Sequence, residues 1–440
     1  MQTFVTQKEQ LNSRFDTHYY QPKYMQFEKQ IKSHRSGYTY LDQVSKVVCG
    51  PFGSAIKVTD YLSKGVPLLR ITNINESGGF DKTNFKYIPD DLASQLQNYK
   101  VNEDDIVVSQ RGTLGQIAQI DKSLNGSVIS ANLIAIKNIK KESFLPIFIK
   151  VYLTSTLSQI QLERKVSGQV QIKITTDDIK TILIPNLSLK TQQEIVSITQ
   201  SAYKKKQKME QEAEELLNEV ETNILQDLGI KKLEIKKKLT FIIEYKQIKK
   251  GRIDPITFIN MQDTELSSIY KEKSLGDIVI ISKGKSISQK DIISGKYPVI
   301  AGGQTSPYKI NKYNYKGDVI TVSASGAYSG YVWYHNDPIF ASDCLVLRSK
   351  NESMTITKFI YAVMKAKQKY IYNMQQGAGQ PHVYAEDLRK LRVTLPTYDI
   401  QKAIIAKMEY KVERAKTLKK EAILIIKQAK QQVENIILGK

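Results

Sequence analysis

Two stretches, EDDIVVSQRG at residues 103–112 and KGDVITVSASG at residues 316–326, decide the fold of this 440-residue chain. Each contains an acidic turn, an apolar run typical of a β-strand, and a glycine that ends the run. The two stretches align once one residue is inserted in the second. This match predicts that the chain contains one module twice.

Five further blocks recur in the same order around these stretches. Because an internal repeat defines the fold before any single element does, six blocks kept in order indicate a tandem duplication. The other matches are TFV (3–5) with FII (241–243), RFD (14–16) with RID (252–254), LDQVSKVV (41–48) with LGDIVIIS (275–282), SANLIAIK (130–137) with SDCLVLRS (342–349), and the spacing Gly168, Asp178, Gln192 with Gly377, Asp387, Gln401.

A long helix is predicted after the β-rich part of each half, from about residue 188 to 228 and from about residue 400 to 438. Apolar residues recur at spacings of three and four along both helices, which is typical of a coiled-coil seam. The predicted seam residues include Ile198, Met209, Leu216 and Val220 on the first helix and Met408, Val412, Ala415, Leu418, Ala422 and Ile425 on the second.

Opposite charge favours pairing of these helices with each other. Residues 190–228 contain 5 lysines and 8 acids, whereas residues 400–440 contain 10 basic residues and 4 glutamates. About 38 helical residues make a rod of roughly 57 Å, so an antiparallel pair would hold two modules at its opposite ends, related by an approximate two-fold axis.

We therefore expect an α+β fold, with two β-rich recognition domains in tandem repeat and two long helices that form an antiparallel coiled coil. The predicted boundaries are 1–187 for the first domain, 188–230 for the first helix, 231–398 for a linker with the second domain, and 399–440 for the second helix.

The charge balance favours a polyanionic partner. The chain has 65 Lys and Arg against 44 Asp and Glu, a net charge of +21. Such an excess favours nucleic-acid binding, because each neutralised phosphate releases a condensed counterion. A lysine-rich proteome would give a similar excess, so charge alone leaves both interpretations open. The basic segment 231–252 is either a solvated linker or a phosphate contact.

Several kinds of chemistry have no matching motif. Cys49, Cys344 and the four histidines lack metal-ligand spacing, so no metal site is predicted. NDPIF (336–340) lacks the second proline of an adenine methyltransferase loop and is interpreted as a turn into a strand over 340–347. GKS (284–286) lacks the first glycine of a P-loop and is interpreted as a strand-end loop. No signal-peptide core or transmembrane run occurs, so a cytoplasmic protein is expected.

Both halves contain short motifs in a fixed arrangement: YPVIAGGQ (297–304), SASGAYSG (323–330), YVW (331–333), QGAGQP (376–381) and the pattern Asp387-Leu388, Leu395-Pro396, Gln401 in the second half, and LRITNI (69–74), SQRG (109–112) and Asp178-Ile179, Ile184-Pro185, Gln192-Gln193 in the first. With these motifs, the chain resembles over essentially its whole length the specificity subunit of type I restriction-modification enzymes. It departs from the family pattern in two places: Ile400 stands where an acid is expected, and GQVQ (168–171) is a diverged form of GAGQ (377–380).

This resemblance implies a non-catalytic subunit in which two target-recognition domains read a bipartite, asymmetric DNA site. It implies as partners double-stranded DNA, two modification (methyltransferase) subunits and, in some systems, restriction subunits, with no membrane contact. S-adenosylmethionine, ATP and Mg are then expected on the partner subunits, and no cofactor in this chain. The alternatives are a type IIB-like specificity subunit, a coiled-coil scaffold that reads no DNA, and a self-sufficient methylase or endonuclease.

Base reading needs side chains that present paired donors or acceptors, such as Arg to guanine and Asn or Gln to adenine. Such side chains fall on turns at the ends of apolar runs, and most of the tyrosines around Trp333 are instead expected to pack across strands. A structural ion pair is the alternative role for Arg70. We predict DNA contacts from Arg70, Asn73, Gln110, Arg111 and Gln171 in the first half and from Gln304, Thr305, Ser325, Tyr328, Gln380 and His382 in the second.

Overall fold

The computed structural model describes residues 18–75, 77–110, 115–165, 173–230, 269–288, 290, 292–377 and 379–439. The chain divides into two compact units. Residues 1–208 and 421–440 form the first unit, and residues 209–420 form the second. Each unit therefore contains part of both long helices.

The first unit contains two four-stranded sheets, with strand orders β2-β9-β6-β7 and β4-β3-β8-β5, and a two-stranded pair of β1 with β10. Its strands are β1 (Tyr38–Tyr40), β2 (Lys46–Cys49), β3 (Val66–Leu69), β4 (Lys86–Ile88), β5 (Lys100–Val101), β6 (Ile106–Ser109), β7 (Ile117–Gln119), β8 (Ser127–Ile129), β9 (Leu133–Lys137) and β10 (Leu183–Pro185). Its helices are α1 (Pro22–Lys32), α2 (Leu41–Val44), α3 (Asp90–Gln95), α4 (Pro146–Thr154), α5 (Thr156–Lys165), α6 (Thr176–Lys180) and the first part of α7 (Leu189–Asp227).

The second unit contains sheets of order β12-β18-β15-β16 and β14-β13-β17, and a pair of β11 with β19. Its strands are β11 (Glu272–Ser274), β12 (Val279–Lys283), β13 (Ser294–Ile300), β14 (Lys309–Ile310), β15 (Val319–Ser323), β16 (Val332–His335), β17 (Phe340–Ala341), β18 (Cys344–Ser349) and β19 (Arg392–Thr394). Its helices are α8 (Leu275–Ile278), α9 (Thr357–Ala366), α10 (Gln368–Tyr372), α11 (Ala385–Lys390), the second part of α7, and α12 (Tyr398–Ile437) as far as residue 420.

The strand pairing of the first unit recurs in the second. The sheet β2-β9-β6-β7 corresponds to β12-β18-β15-β16, and both units contain one parallel pair, β3 with β8 and β13 with β17. The predicted tandem duplication is therefore confirmed. Two of the matching blocks, at residues 3–5 with 241–243 and at 14–16 with 252–254, lie outside the described residues.

The strands β6 and β15 lie at the centre of each unit and are buried along their whole length. Successive side chains of a strand point to opposite faces. Ile106 and Val108 accordingly pack in the core that contains Phe148 of α4, whereas Val107 packs in a separate core with Leu69 and Ile129 of the second sheet. Both faces are apolar because helices cover one face and the second sheet covers the other.

The two long helices pack antiparallel. In the second unit, Ala213 of α7 packs with Ala415 and Leu418 of α12, and Met209 and Leu216 flank this cluster. Asp227 pairs with Lys407, 2.9 Å from its Nζ, and Glu219 pairs with Lys411 at 2.5 Å, so numbering rises on one helix as it falls on the other. The predicted antiparallel coiled coil is therefore confirmed.

One predicted seam residue does not lie in the seam. Val412 is 43% exposed and lines an open groove, about 860 Å³ in volume, between the coiled coil and α9. Lys411 takes the position beside α7, where its stem is covered and its ammonium reaches Glu219. Of the other predicted seam residues, Met408, Ala422 and those of the central cluster are buried or partly buried, as are Ile198, Val220 and Ile425.

A buried glutamine fixes the start of each long helix. Gln192 donates from Nε2 to the carbonyl oxygens of Ser143 and Leu187, both at 2.8 Å, and its Oε1 accepts from the backbone N–H of Leu145. Gln401 makes the same three bonds in the second unit, to Met354, Pro396 and Ile356. This network accounts for the glutamine that the helix-start pattern repeats, since all three backbone groups are satisfied inside the protein.

Two motif interpretations are resolved by the strand positions. In the motif NDPIF, residues 336–338 form a turn after β16. Ile339 and Phe340 are only 1% and 5% exposed, so neither side chain could contact a flipped base. The predicted single strand over 340–347 is wrong, because β17 and β18 belong to different sheets. Gly284 follows β12 directly, which confirms the strand-end loop.

Candidate nucleic-acid interface

Three loops of the second unit meet at one surface, which we call the second-unit loop cluster: residues 301–306, 324–330, and 376–377 with 379–383. The N–H of Gly326 donates to the Pro381 carbonyl at 2.9 Å, and the N–H of Val383 donates to the Ala324 carbonyl at 3.0 Å. A Cβ on Gly302 would lie 2.6 Å from the Ser325 carbonyl oxygen, so only glycine permits this approach of the first loop. The backbone thus holds the three loops together.

The loop cluster brings together the six residues predicted to read DNA in the second half. Ser325 donates its hydroxyl to the Asp343 carboxylate. The His382 ring stacks on the Tyr384 ring, with centroids 6.1 Å apart, and Tyr328 is 49% exposed. Gln304, Thr305 and Gln380 are exposed to solvent.

This surface presents amide, hydroxyl and imidazole groups on turns that glycines keep open. Gly326 and Gly377 adopt positive φ angles of 87° and 99°, which residues with a Cβ rarely adopt. Exposed amides can form paired hydrogen bonds with base edges, and hydroxyl and backbone N–H groups can contact phosphates. The cluster can therefore support both sequence reading and positioning on a duplex.

The corresponding surface of the first unit is a groove of about 530 Å³, which we call the first-unit groove. It lies where the loops after β2 and β3 meet the segment before β9. Its lining residues are Pro51, Phe52, Gly53, Ile56, Val58, Tyr61, Leu68, Arg70, Ile71, Thr72, Ser130, Ala131 and Asn132.

The groove and the loop cluster occupy equivalent places, because the loop after β3 corresponds to residues 301–306 after β13, and a shared backbone contact relates the loops after β2 and β12. A Cβ on Gly50 would lie 2.1 Å from the Ser130 carbonyl oxygen, and a Cβ on Gly284 would lie 2.0 Å from that of Ser342. The N–H of Gly50 donates to Leu133 and the N–H of Gly284 donates to Cys344, both at 2.8 Å. The loop that begins at Gly50 is therefore the counterpart of the loop that begins at Gly284.

Arg70 lies in the wall of the groove, as a reader of DNA would require. Its Nη2 donates to the Asn84 carbonyl at 3.0 Å. Its Nε is shielded from solvent and has no hydrogen-bond partner among the described residues. A shielded donor without a partner is uncommon in folded proteins, and here it borders an open groove.

Two other predicted readers of the first half are buried. Asn73 is 1% exposed, and its amide donates to the Asn84 carbonyl at 3.2 Å and accepts from the Arg70 N–H. Gln110 is 6% exposed, and its Nε2 lies 3.6 Å from the Cys49 sulfur. The expectation that a turn lifts Gln110 off the sheet is wrong, because its backbone pairs with Asn132 and Ile174 and turns the side chain inward. Arg111 and Gln171 lie outside the described residues.

Sequence reasoning missed two exposed apolar side chains at the mouth of the groove. Phe52 is 88% exposed and Val58 is 79% exposed. The stretch GPFG (50–53) could have pointed to Phe52, since glycine and proline around one aromatic residue indicate a turn that presents it. Asn132, at the other side of the groove, is also exposed and was not singled out.

Ionisable groups of the second unit are perturbed mainly in its core. His335 is 7% exposed and its Nε2 lies 2.8 Å from the Thr321 hydroxyl, and burial lowers its pKa to about 4. Burial also raises the pKa of the Cys344 thiol to about 12. In the described ranges, no group of three His, Cys, Asp or Glu side chains could hold a metal ion. No described helix is long and apolar enough to cross a membrane.

These features define a tandem-repeat recognition protein, with one two-sheet module used twice and a helical pair shared by both copies. The model of the type I restriction modification DNA specificity domain matches residues 53–222 and again residues 268–435. The chain therefore belongs to the family of type I restriction-modification DNA specificity proteins.

Individual relatives match over shorter stretches. The chain is 28% identical over 160 residues to S.MpnORF507P of Mycoplasma pneumoniae, and this match covers 35% of the chain and 42% of that protein. It is 26% identical over 137 residues to the EcoBI specificity subunit of Escherichia coli, covering 31% of the chain and 28% of that protein. These matches span less than half the length of the curated relatives.

One solved structure from work on the assembly of a type I restriction-modification system has the same fold. It covers 91% of this chain and 96% of its own, with 15% sequence identity and a TM-score of 0.53. At this identity the likeness concerns the fold, and the contacts of that protein are not transferred to this one.

Proposed function

We propose that this chain is the specificity subunit of a type I restriction-modification enzyme and reads a bipartite, asymmetric DNA site. The observation that carries the proposal is that equivalent places on two copies of one scaffold hold different sets of side chains. The second unit places exposed polar residues there, whereas the first unit forms a groove with Arg70 in its wall. Two unlike surfaces on one scaffold suit two unlike half-sites.

The chain is proposed to recognise DNA without performing chemistry itself. We expect methyl transfer and any cleavage to belong to modification and restriction subunits, which would carry S-adenosylmethionine, ATP and Mg. The exposed faces of α7 and α12 are the proposed docking surface for two modification subunits, and the helical pair is proposed to set the spacing of the half-sites. Action on chromosomal DNA would place the assembly in the cytoplasm.

The test is methylation mapping of the genome in cells with and without this chain. A bipartite motif should lose its methylation when the chain is absent. The variant Gln304→Ala/Gln380→Ala should weaken or relax the motif in one half only, because each lost bidentate base contact costs about 1–3 kcal/mol of discrimination. Met354→Ala is the control, since Met354 is 58% exposed between β18 and α9, outside the loop cluster and the two long helices.

A titration of the assembled complex separates DNA reading from a scaffold role. Binding through phosphates weakens linearly on a log–log plot as salt rises, because counterions are released. The complex should show this slope and should favour its mapped motif over random duplex. A complex with no salt dependence and no motif preference would favour the coiled-coil scaffold instead.

A further inference from the structure

The two most exposed large apolar side chains among the described residues of the first unit lie at one opening. Phe52, Val58 and Leu62 are 88%, 79% and 44% exposed, and the first two line the first-unit groove. Leaving such side chains in water is unfavourable, by about 25 cal/mol per Å² of apolar surface. An apolar patch bordered by polar groups marks a surface that another molecule covers.

The backbone presents Phe52 to solvent and prevents its withdrawal. Pro51 is buried beside it, and the close approach of Gly50 to the Ser130 carbonyl fixes the start of the loop. On the other side, the N–H of Ala55 donates to the Phe52 carbonyl at 2.9 Å in a short 3-10 turn. Both ends of the loop are therefore tied down while the ring points outward.

The polar groups of the same groove describe the chemistry of its occupant. The Arg70 Nε is a shielded donor without a partner in the described part of the chain, and Asn132 and Thr72 are exposed. Lys57 and Lys64 lie exposed on the loops that border the opening. A fitting ligand is anionic and presents hydrogen-bond acceptors next to an apolar group.

The major groove of DNA at an A·T pair has this combination. Thymine presents its C5-methyl group beside the O4 acceptor, and adenine presents the N7 acceptor and N6 donor that an Asn amide can pair with. We propose that Phe52 and Val58 contact thymine methyl groups in the half-site read by the first unit, and are specificity-determining residues. This inference rests on the proposed function and adds the base type to it.

The second unit differs from the first at the position equivalent to Phe52. Gly284 is equivalent to Gly50, so the position of Phe52 is taken by Ser286, which is exposed and polar. Sensitivity to thymine methyl groups of this origin should therefore be confined to one half of the site.

The test uses the chain assembled with its modification subunits and a duplex that carries the mapped motif. Each thymine of the first half-site is replaced in turn by deoxyuridine, which lacks only the methyl group. Wild-type affinity should fall about four-fold for each methyl contacted, the effect of exposing one methyl-sized apolar group. The same replacement should have no effect on Phe52→Ala at the methyl that Phe52 contacts, or on Val58→Ser at the methyl that Val58 contacts.

Three controls give the result one meaning. Ser286→Ala and deoxyuridine in the second half-site should leave the binding constant within two-fold of wild type, and Phe52→Leu should keep part of the methyl sensitivity. If no deoxyuridine in the first half-site changes the affinity of the wild-type complex, the inference is wrong. It is also wrong if the Phe52→Ala chain does not assemble with its modification subunits, because the apolar patch would then contact a protein subunit. Failure of the wild-type complex to prefer any bipartite motif would instead overturn the proposed function.

Discussion

The two units share a scaffold and differ at the surface it supports. The N–H of Gln110 donates to the Asn132 carbonyl, and at the same place in the second unit the N–H of Ala324 donates to the Asp343 carbonyl. The backbone pattern is thus retained, while the side chains around it are exchanged. Asn pairs with adenine and Asp accepts from cytosine, so such exchanges can change the bases that are read without altering the fold.

A large effect is expected where the two units are alike. Gln192→Leu and Gln401→Leu should each lower the free energy of unfolding by about 2–3 kcal/mol, because each removes the three hydrogen bonds of a fully buried side chain. Urea denaturation should show nearly equal losses for the two variants. The neighbouring Gln193→Leu, at an exposed position, is the control and should cost little. Clearly unequal losses would contradict the equivalence of the helix starts.

The next effect concerns the helical pair that both units share. Leu418→Ala should lower the free energy of unfolding by about 2–4 kcal/mol, because Leu418 is 1% exposed and its loss leaves a cavity beside Ala213 and Ala415. Thermal denaturation of Ile423→Ala, at a position 68% exposed on the same helix, gives the matched control. Similar losses for the two variants would remove Leu418 from the seam.

A pH difference should separate the two units. Folding favours neutral His335, since burial lowers its pKa from 6.5 to about 4. The unfolded chain therefore binds the additional proton between these values, and the second unit should lose up to roughly 3 kcal/mol as pH falls from 6.5 to 4. Above pH 6.5 this contribution is constant.

Hydrogen exchange of each unit at pH 6.5 and pH 5 would measure that loss. The first unit has Gln119 at the equivalent strand position, opposite Ile106 as His335 is opposite Val319, so it has no titratable group there. Burial also lowers the pKa of His34 in the first unit, so the comparison that isolates His335 is between wild type and His335→Gln. His335→Gln should remove the loss from the second unit and leave the response of the first unit unchanged. An equal pH response in wild type and in His335→Gln would show that other groups govern the acid sensitivity.

The smallest effect is expected at the ion pairs of the coiled coil. Glu219→Gln removes the pair with Lys411, in which the glutamate side chain is 58% exposed. Solvent-exposed pairs contribute about 0.2–1 kcal/mol, so the melting temperature should change by a few degrees at most, and less at high salt. A loss as large as that of Leu418→Ala would mean that charge, rather than packing, holds this part of the pair together.

The central strands and each long helix could be predicted because their signals are local, and the duplication because its blocks recur in the same order along the sequence. An apolar run or a heptad pattern is read within about a dozen neighbouring residues. The burial of Gln110 could not be predicted, because it depends on Cys49 and Asn132, which come from distant parts of the chain. The exposure of Phe52 was missed because aromatic residues are usually buried in folded proteins. Only the fixed conformation of its loop places the ring in solvent.

The C-terminal part of α12 belongs to the first unit, and this affects the order in which the chain can fold during synthesis. Val433 and Ile437 belong to the same core as Phe148 and Ile195 of the first unit. Translation supplies them more than two hundred residues after Lys208, where the N-terminal portion of that unit ends. The core of the first unit can therefore be completed only after the second unit has been synthesised. Nascent chains that terminate early would leave part of that core exposed to solvent.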